Sequence, residues 1–181
     1  RLFGHAPEAV LGLHPDELKR RNLQPGELIQ LRSRRGGLIL PVQADEALQP
    51  GQAYLPMHWG DRFLKGLGTN VLTQPAFDPL SKQPELKLSA VQVERAELPW
   101  QFFALVEGDV QRRLEALRPL FEHFAYASLA PTGREQRPAL LIKAAAEAAP
   151  DAALLAGIDA LLGVDTGPVM AYDDARRGVG K

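Results

Sequence analysis

The sequence predicts a mixed β and α+β chain, a small β-barrel followed by a compact α+β unit, and three observations carry that expectation. Residues 1–94 are dense in proline and glycine and offer several short apolar strands between turns. Residues 109–163 instead carry two strong helical patterns. The composition changes across residues 96–99, which divides the chain into domains 1–96 and 97–181. A chain of 181 residues that is 45% hydrophobic and 24% charged has enough apolar material for two small cores.

In the first half, Pro15-Asp16-Glu17 opens a short helix, with proline at the first helical position and acids in the first turn. Pro25-Gly26 makes a turn. Residues 27–33 read as a strand that points Ile29 and Leu31 to one face, and Arg35-Gly36-Gly37 as the hairpin turn into a strand over 38–42. Pro50-Gly51 marks the next turn, before a strand over 52–57. After a long irregular stretch, residues 87–94 close the set with Val91 and Val93 on one side. Many short strands separated by turns are the pattern of a small barrel.

The second half begins with an apolar strand over 100–106. Asp109 then caps a helix carrying Val110, Leu114, Leu117, Phe121 and Phe124 at helical spacing, with Pro119 inside its last turns. Residues 126–130 and 139–145 are strand-like runs separated by the polar stretch 132–137. Pro150-Asp151 starts a helix with Leu154, Leu155, Ile158, Leu161 and Leu162, and residues 168–172 supply a last strand. The order βαββαβ is the split βαβ pattern of ferredoxin-like domains. The alanine-rich run 144–153 is equally compatible with a helix.

Charge and composition exclude several functions. The 21 basic and 22 acidic residues nearly cancel, so no global field recruits nucleic acid or an anionic membrane, and any bound anion is held by local geometry. No apolar run is long enough for a membrane span and no secretory signal is visible, which gives a cytoplasmic expectation. The absence of cysteine rules out disulfides, thiolate zinc and iron–sulfur ligation by these residues. His5, His14, His58 and His123 lack metal-ligand spacing, so no metal site is expected, and no catalytic constellation is visible. The adjacent Asp173 and Asp174 would face opposite sides of a strand and do not act as a pair.

Residues 58–87 form the informative stretch. An irregular segment of about 30 residues is uncommon inside a compact domain and usually carries function or is disordered. This one holds His58-Trp59-Gly60, then Asn70-Val71-Leu72-Thr73, then residues 78–87 (DPLSKQPELK), with prolines at 75, 79 and 84 that restrict the backbone. Such a segment is built for one conformation.

At these residues the sequence resembles a known family. HWG followed by NVLTQPAFDPLSKQPELK, preceded by LHPDELKRRNLQPGELIQLRSRRGGLILPVQ, resembles the C-terminal dinucleotide-binding domain of the molybdopterin oxidoreductases, and among them most the assimilatory nitrate reductases. The resemblance covers residues 1–95 and implies a double-psi β-barrel of the aspartate-decarboxylase-like kind that begins inside the domain. It implies a share in binding bis(molybdopterin guanine dinucleotide) with molybdenum. Asn70 and Lys87 match the family's dinucleotide-binding asparagine and lysine, and Met57 and His58 the segment approaching the pterin. An amide offers both donors and an acceptor to a pterin or guanine edge, and an ammonium suits a diphosphate. The family's molybdenum ligand and iron–sulfur cysteines would lie in other domains of the same enzyme, and an electron donor protein and nitrate are the implied partner and substrate. Ser89 stands where many relatives have cysteine, a small-for-small exchange.

Each residue also has a plainer reading. Asn70 can simply turn the chain, Lys87 can guard a strand edge, and His58 can be a satisfied structural histidine. Asp78, Pro79 and Ser81 read as loop-shaping, and Trp59 as packing its ring inward. Arg32, Arg34 and Arg35 read as a solvated turn in preference to a phosphate clamp, since no aromatics interleave. The half from residue 97 onward is expected to be a spacer or a docking surface for an electron donor. Two further readings stay open: a relative of formate dehydrogenase, and a non-catalytic double-psi barrel that binds protein.

Overall fold

Turns at Gly26 (φ +90°) and Gly51 (φ +87°) cut the first half of the chain into strands of two to eight residues. In the computed structural model, which describes residues 8–84, 88–134 and 137–163, these strands belong to one compact unit, Glu8–Ala96, and a second unit begins at Glu97. The first unit holds β1 (Leu11–Leu13), α1 (Pro15–Arg20), β2 (Leu28–Arg32), β3 (Gly37–Ala44), β4 (Ala53–Tyr54) and β5 (Gln92–Arg95). They form a five-stranded sheet in the order β4-β1-β3-β2-β5.

The sheet curls because β3 serves two neighbours in succession. Residues 37–41 pair antiparallel with β2, ending at Leu28 opposite Pro41, and from Val42 onward β3 pairs in parallel with β1. Pro41 has no N–H to give and stands at the changeover. Alternation delivers Ile29, Leu31, Leu40 and Val42 to one buried face, where Leu11, Leu13, Leu18, Leu23, Leu72 and Val93 complete the core. The helix α1 starts as its sequence signals, with Pro15 at its first position and the His14 Nδ1 accepting from the Asp16 amide at 3.2 Å. Its buried Glu17 accepts from Arg20 at 2.5 Å and Arg21 at 3.3 Å, and Arg21 donates on to the Val93 carbonyl at 2.8 Å, which ties α1 to β5. The Arg20 hydrogen bond, with help from Arg21, holds the Glu17 carboxyl below its ordinary pKa.

Several expectations are corrected. The strand β1 is an addition: its three residues are all buried, so no alternation marked it. The strand expected over 52–57 is only Ala53–Tyr54, because Pro56 follows closely. The one expected over 87–94 is Gln92–Arg95. The β2–β3 turn lies one residue earlier than Arg35-Gly36-Gly37: the Ser33 amide donates to the Gly36 carbonyl at 2.8 Å, which places Arg34 and Arg35 at the tip. Gly36 serves close packing instead of turn geometry, since a Cβ there would stand 2.6 Å from the Val71 Cγ2.

The second unit contains β6 (Trp100–Glu107), α2 (Val110–Leu117), β7 (Tyr126–Arg134), β8 (Arg137–Ala146) and α3 (Ala152–Leu162). Its three-stranded sheet has the order β6-β8-β7, with β8 antiparallel to both neighbours. The connection from β6 through α2 to β7 therefore joins parallel strands with β8 inserted between them. The strand expected over 168–172 lies outside the described residues. Asp109 and Asp151 cap α2 and α3, accepting from the Arg112 and Leu154 amides at 3.1 and 2.8 Å. The helix expected to run to Phe124 ends at Leu117 and continues as a 3-10 turn over Arg118–His123, because Pro119 cannot donate the next helical bond. Phe121 and Phe124 still reach the core, where the Phe124 ring stacks on Trp100 at 5.6 Å. The strands expected over 126–130 and 139–145 both run further, into the polar stretch taken as their separator. No helix among the described residues is long and apolar enough to cross a membrane.

Candidate functional site

The irregular segment after β4 folds back on itself, and Gly68 makes the return possible. Gly68 has φ +67°, and a Cβ there would meet the Trp59 carbonyl oxygen at 2.5 Å and the Gly60 backbone at 2.6 Å. Only glycine tolerates both the left-handed backbone and that approach. Thr69 then locks the two arms: its amide donates to the Trp59 carbonyl at 2.9 Å and its hydroxyl to the Met57 carbonyl at 3.2 Å. Trp59 is fully buried, with the Phe63 ring edge-on at 5.7 Å, in keeping with its expected structural role. The residues after Gly68 form a 3-10 helix, Gly68–Leu72, which ends with the Thr73 hydroxyl and amide donating to the Asn70 carbonyl at 2.9 and 3.2 Å.

This return brings Met57 and Asn70, thirteen positions apart in sequence, to the rim of one cleft of about 120 Å³. Thr69, Thr73 and Ser89 join them, above an aliphatic floor that includes Leu31 and Leu72. Among the described residues the Asn70 side-chain amide makes no hydrogen bond, and the residue is exposed. Hydroxyls and an amide around an aliphatic floor suit a flat heterocycle with a polar edge, such as a pterin or purine. The cleft is smaller than the several hundred Å³ or so that encloses a drug-sized ligand, so by itself it has room for only part of a larger one.

The four expected cofactor residues fare differently. Met57 and Asn70 are brought together. His58 is exposed, its ring 5.8 Å from that of Trp59, and it is not among the residues that line this cleft. Lys87 lies outside the described residues. Thr69 was missed by sequence reasoning; the available signal was its place directly after a glycine in a loop that had to turn. The tail of the segment is shaped by Asp78, whose Oδ1 accepts from the Leu80 and Ser81 amides at 3.0 and 2.6 Å. Those bonds, that of Ser81 foremost, hold the Asp78 carboxyl below its ordinary pKa, and the Gln83 amide reaches the Ser81 hydroxyl at 3.3 Å.

Comparison with known proteins places these residues in a family. The model of the molydopterin dinucleotide binding domain matches residues 1–90. A nitrate reductase of Klebsiella oxytoca is 36% identical over 93 residues, 51% of this chain and 11% of that protein. A nitrate reductase of Synechocystis is 37% identical over 109 residues, 51% of this chain and 15% of that protein. The F420-dependent formate dehydrogenase subunit alpha of Methanocaldococcus jannaschii is 34% identical over 88 residues, 49% of this chain and 12% of its own length. The chain thus spans only 11 to 15% of these relatives. The folded-back segment and every residue lining the cleft except Val91 lie within the matched residues, and residues 1–90 of this chain belong to the molydopterin dinucleotide binding domain family.

Proposed function

We propose that this chain is the C-terminal part of an assimilatory nitrate reductase, and that the cleft rimmed by Met57, Thr69 and Asn70 holds the pterin end of a bis(molybdopterin guanine dinucleotide). The observation that carries the reading is the convergence of Met57 and Asn70, two of the three family-matched positions that the structure describes, on one cleft, with His58 outside it. When bound, the cofactor supplies the redox chemistry by which the whole enzyme takes nitrate to nitrite. The residues here bind and orient it. The Asn70 amide offers both donor and acceptor to the heterocycle edge, and the Lys87 ammonium would meet an anionic or carbonyl oxygen. In the same reading the first unit is a double-psi barrel. The second is a ferredoxin-like spacer or docking surface for an electron donor protein, and the enzyme is cytoplasmic, its iron–sulfur cluster held by other domains.

A formate dehydrogenase is the second reading, supported by the 34% identity of the F420-dependent enzyme, close to the 36 and 37% of the nitrate reductases. Both readings share the cofactor and differ in substrate.

The test is cofactor occupancy in the complete enzyme. A lost neutral hydrogen bond costs about 1 kcal/mol and a lost charge-assisted one about 1.5–3 kcal/mol. Asn70→Ala is therefore expected to lower molybdenum per polypeptide several-fold under limiting cofactor, and Lys87→Ala more. Molybdenum content equal to wild type in both variants refutes the reading. Assay of the wild-type enzyme with nitrate and with formate separates the two substrates.

A further inference from the structure

We infer that Arg34 and Arg35, at the tip of the β2–β3 hairpin, grip the diphosphate bridge of the dinucleotide, which makes the site on this unit bipartite. The inference rests on the cofactor reading above and names the part of the ligand that the Asn70 cleft leaves uncovered.

A second cavity, of about 240 Å³, is lined by Ser33, Arg34, Arg35 and Gln74. It shares Leu72 and Ser89 with the Asn70 cleft, so the two are separated only by that common wall. One is aliphatic with an amide and hydroxyls at its rim; the other is basic and is lined by no acid among the described residues. A dinucleotide has this same polarity along its length, a heterocycle followed by a diphosphate with its negative charges.

The arginines of the unit are otherwise engaged. Arg20 and Arg21 pair with Glu17, and Arg95 with Glu27 at 2.7 Å. Arg32, the third residue of the basic cluster, donates to Gln30 at 2.8 Å and does not line the cavity. Arg34 and Arg35 are exposed and make no ion pair among the described residues. Two cations lining one cavity repel each other, and a diphosphate would relieve that repulsion while matching planar forks with paired oxygens.

The hairpin tip is also held in place. Gly36 packs so closely on Val71 that a Cβ would stand 2.6 Å from its Cγ2, and Val71 directly follows Asn70. The Ser33 hydroxyl accepts from the Arg35 amide at 3.1 Å. The basic tip and the asparagine cleft are therefore fixed relative to each other, as two contacts on one rigid ligand require. A fixed tip is what the proposed phosphate clamp needs, where the sequence alone favours a solvated turn.

The experiment compares Arg34→Gln/Arg35→Gln with Arg32→Gln and Asn70→Ala in the complete enzyme, measuring molybdenum and acid-released nucleotide per polypeptide. The double variant is expected to fall at least about fivefold below Arg32→Gln, and Arg34→Lys/Arg35→Lys to recover part of the loss, since lysine keeps the charge without the fork. Thermal unfolding of the 181-residue chain is expected to be unchanged by the double substitution, both side chains being exposed. Occupancy equal to Arg32→Gln overturns the inference, as does a loss that lysine does not relieve or that is matched by a lower melting temperature. If Asn70→Ala loses cofactor while the double variant keeps it, only the diphosphate assignment fails. If both keep it, the cofactor reading fails as well.

Discussion

Gly68 and Gly66 separate two costs that glycine can hide. Both have positive φ, +67° and +75°, but a Cβ at Gly66 would meet nothing within 4 Å, whereas one at Gly68 would strike the Trp59 carbonyl. Left-handed backbone on a non-glycine residue costs about 1–3 kcal/mol. Gly66→Ala is therefore expected to destabilise the chain by about 1 kcal/mol, and Gly68→Ala by clearly more, read from urea unfolding. Equal losses would show that the return of the loop does not depend on close packing at Gly68. Asp78 gives a pH signature. Its pKa is depressed in the folded loop, so its contribution is complete above the ordinary aspartate value of about 4 and is lost as pH falls through the lower folded value. The Leu80 and Ser81 amides are expected to lose protection from exchange below about pH 4, and Asp78→Asn to remove that dependence; protection that is flat with pH would contradict the bonding described. At this scale the sequence was legible where chemistry is local. The loop-shaping role of Asp78 and the capping roles of Asp109 and Asp151 follow from short-range hydrogen bonding. Asn70 and Met57 were legible only through a family resemblance, because nothing local announces that residues on either side of a return will meet.

Among elements, periodicity marked those with one buried face and missed those without. The alternation of Ile29 and Leu31 with less buried neighbours identified β2, and the leucine spacing identified α3. The buried trio Leu11–Leu13 has no polar phase, so β1 carries no pattern, although its parallel pairing with β3 is what curls the sheet. The β2–β3 turn was displaced by one residue because two glycines were read as turn formers, while Gly36 is needed for its approach to Val71. The apolar spacing carried the expected helix on to Phe124, but α2 stops at Leu117, two residues before Pro119. The helix α3 offers a clean test of capping. The Asp151 side chain accepts from the Leu154 amide and Gly163 closes the other end at φ +66°. Asp151→Ala is expected to cost about 1 kcal/mol of stability, measured by denaturant unfolding of the 181-residue chain, with Asp151→Asn recovering most of it. No loss on alanine substitution would mean that packing alone fixes where α3 begins.

For the whole molecule, near-neutral charge and small clefts define what the chain can do by itself. With 21 basic and 22 acidic residues it does not attract a multiply charged dinucleotide from a distance, and its clefts of about 120 and 240 Å³ do not enclose one. The chain spans 11 to 15% of its relatives' lengths, and under the proposed function the remaining walls come from the rest of the enzyme. Orientation of a cofactor by a preshaped pair of clefts is thus the central physical claim, and it is a claim about where specific atoms meet. The most direct measurement is a structure of the intact, cofactor-loaded protein. The pterin edge is expected within hydrogen-bonding distance of the Asn70 amide; an Asn70 turned to solvent, with the cofactor held wholly by other residues, would contradict it.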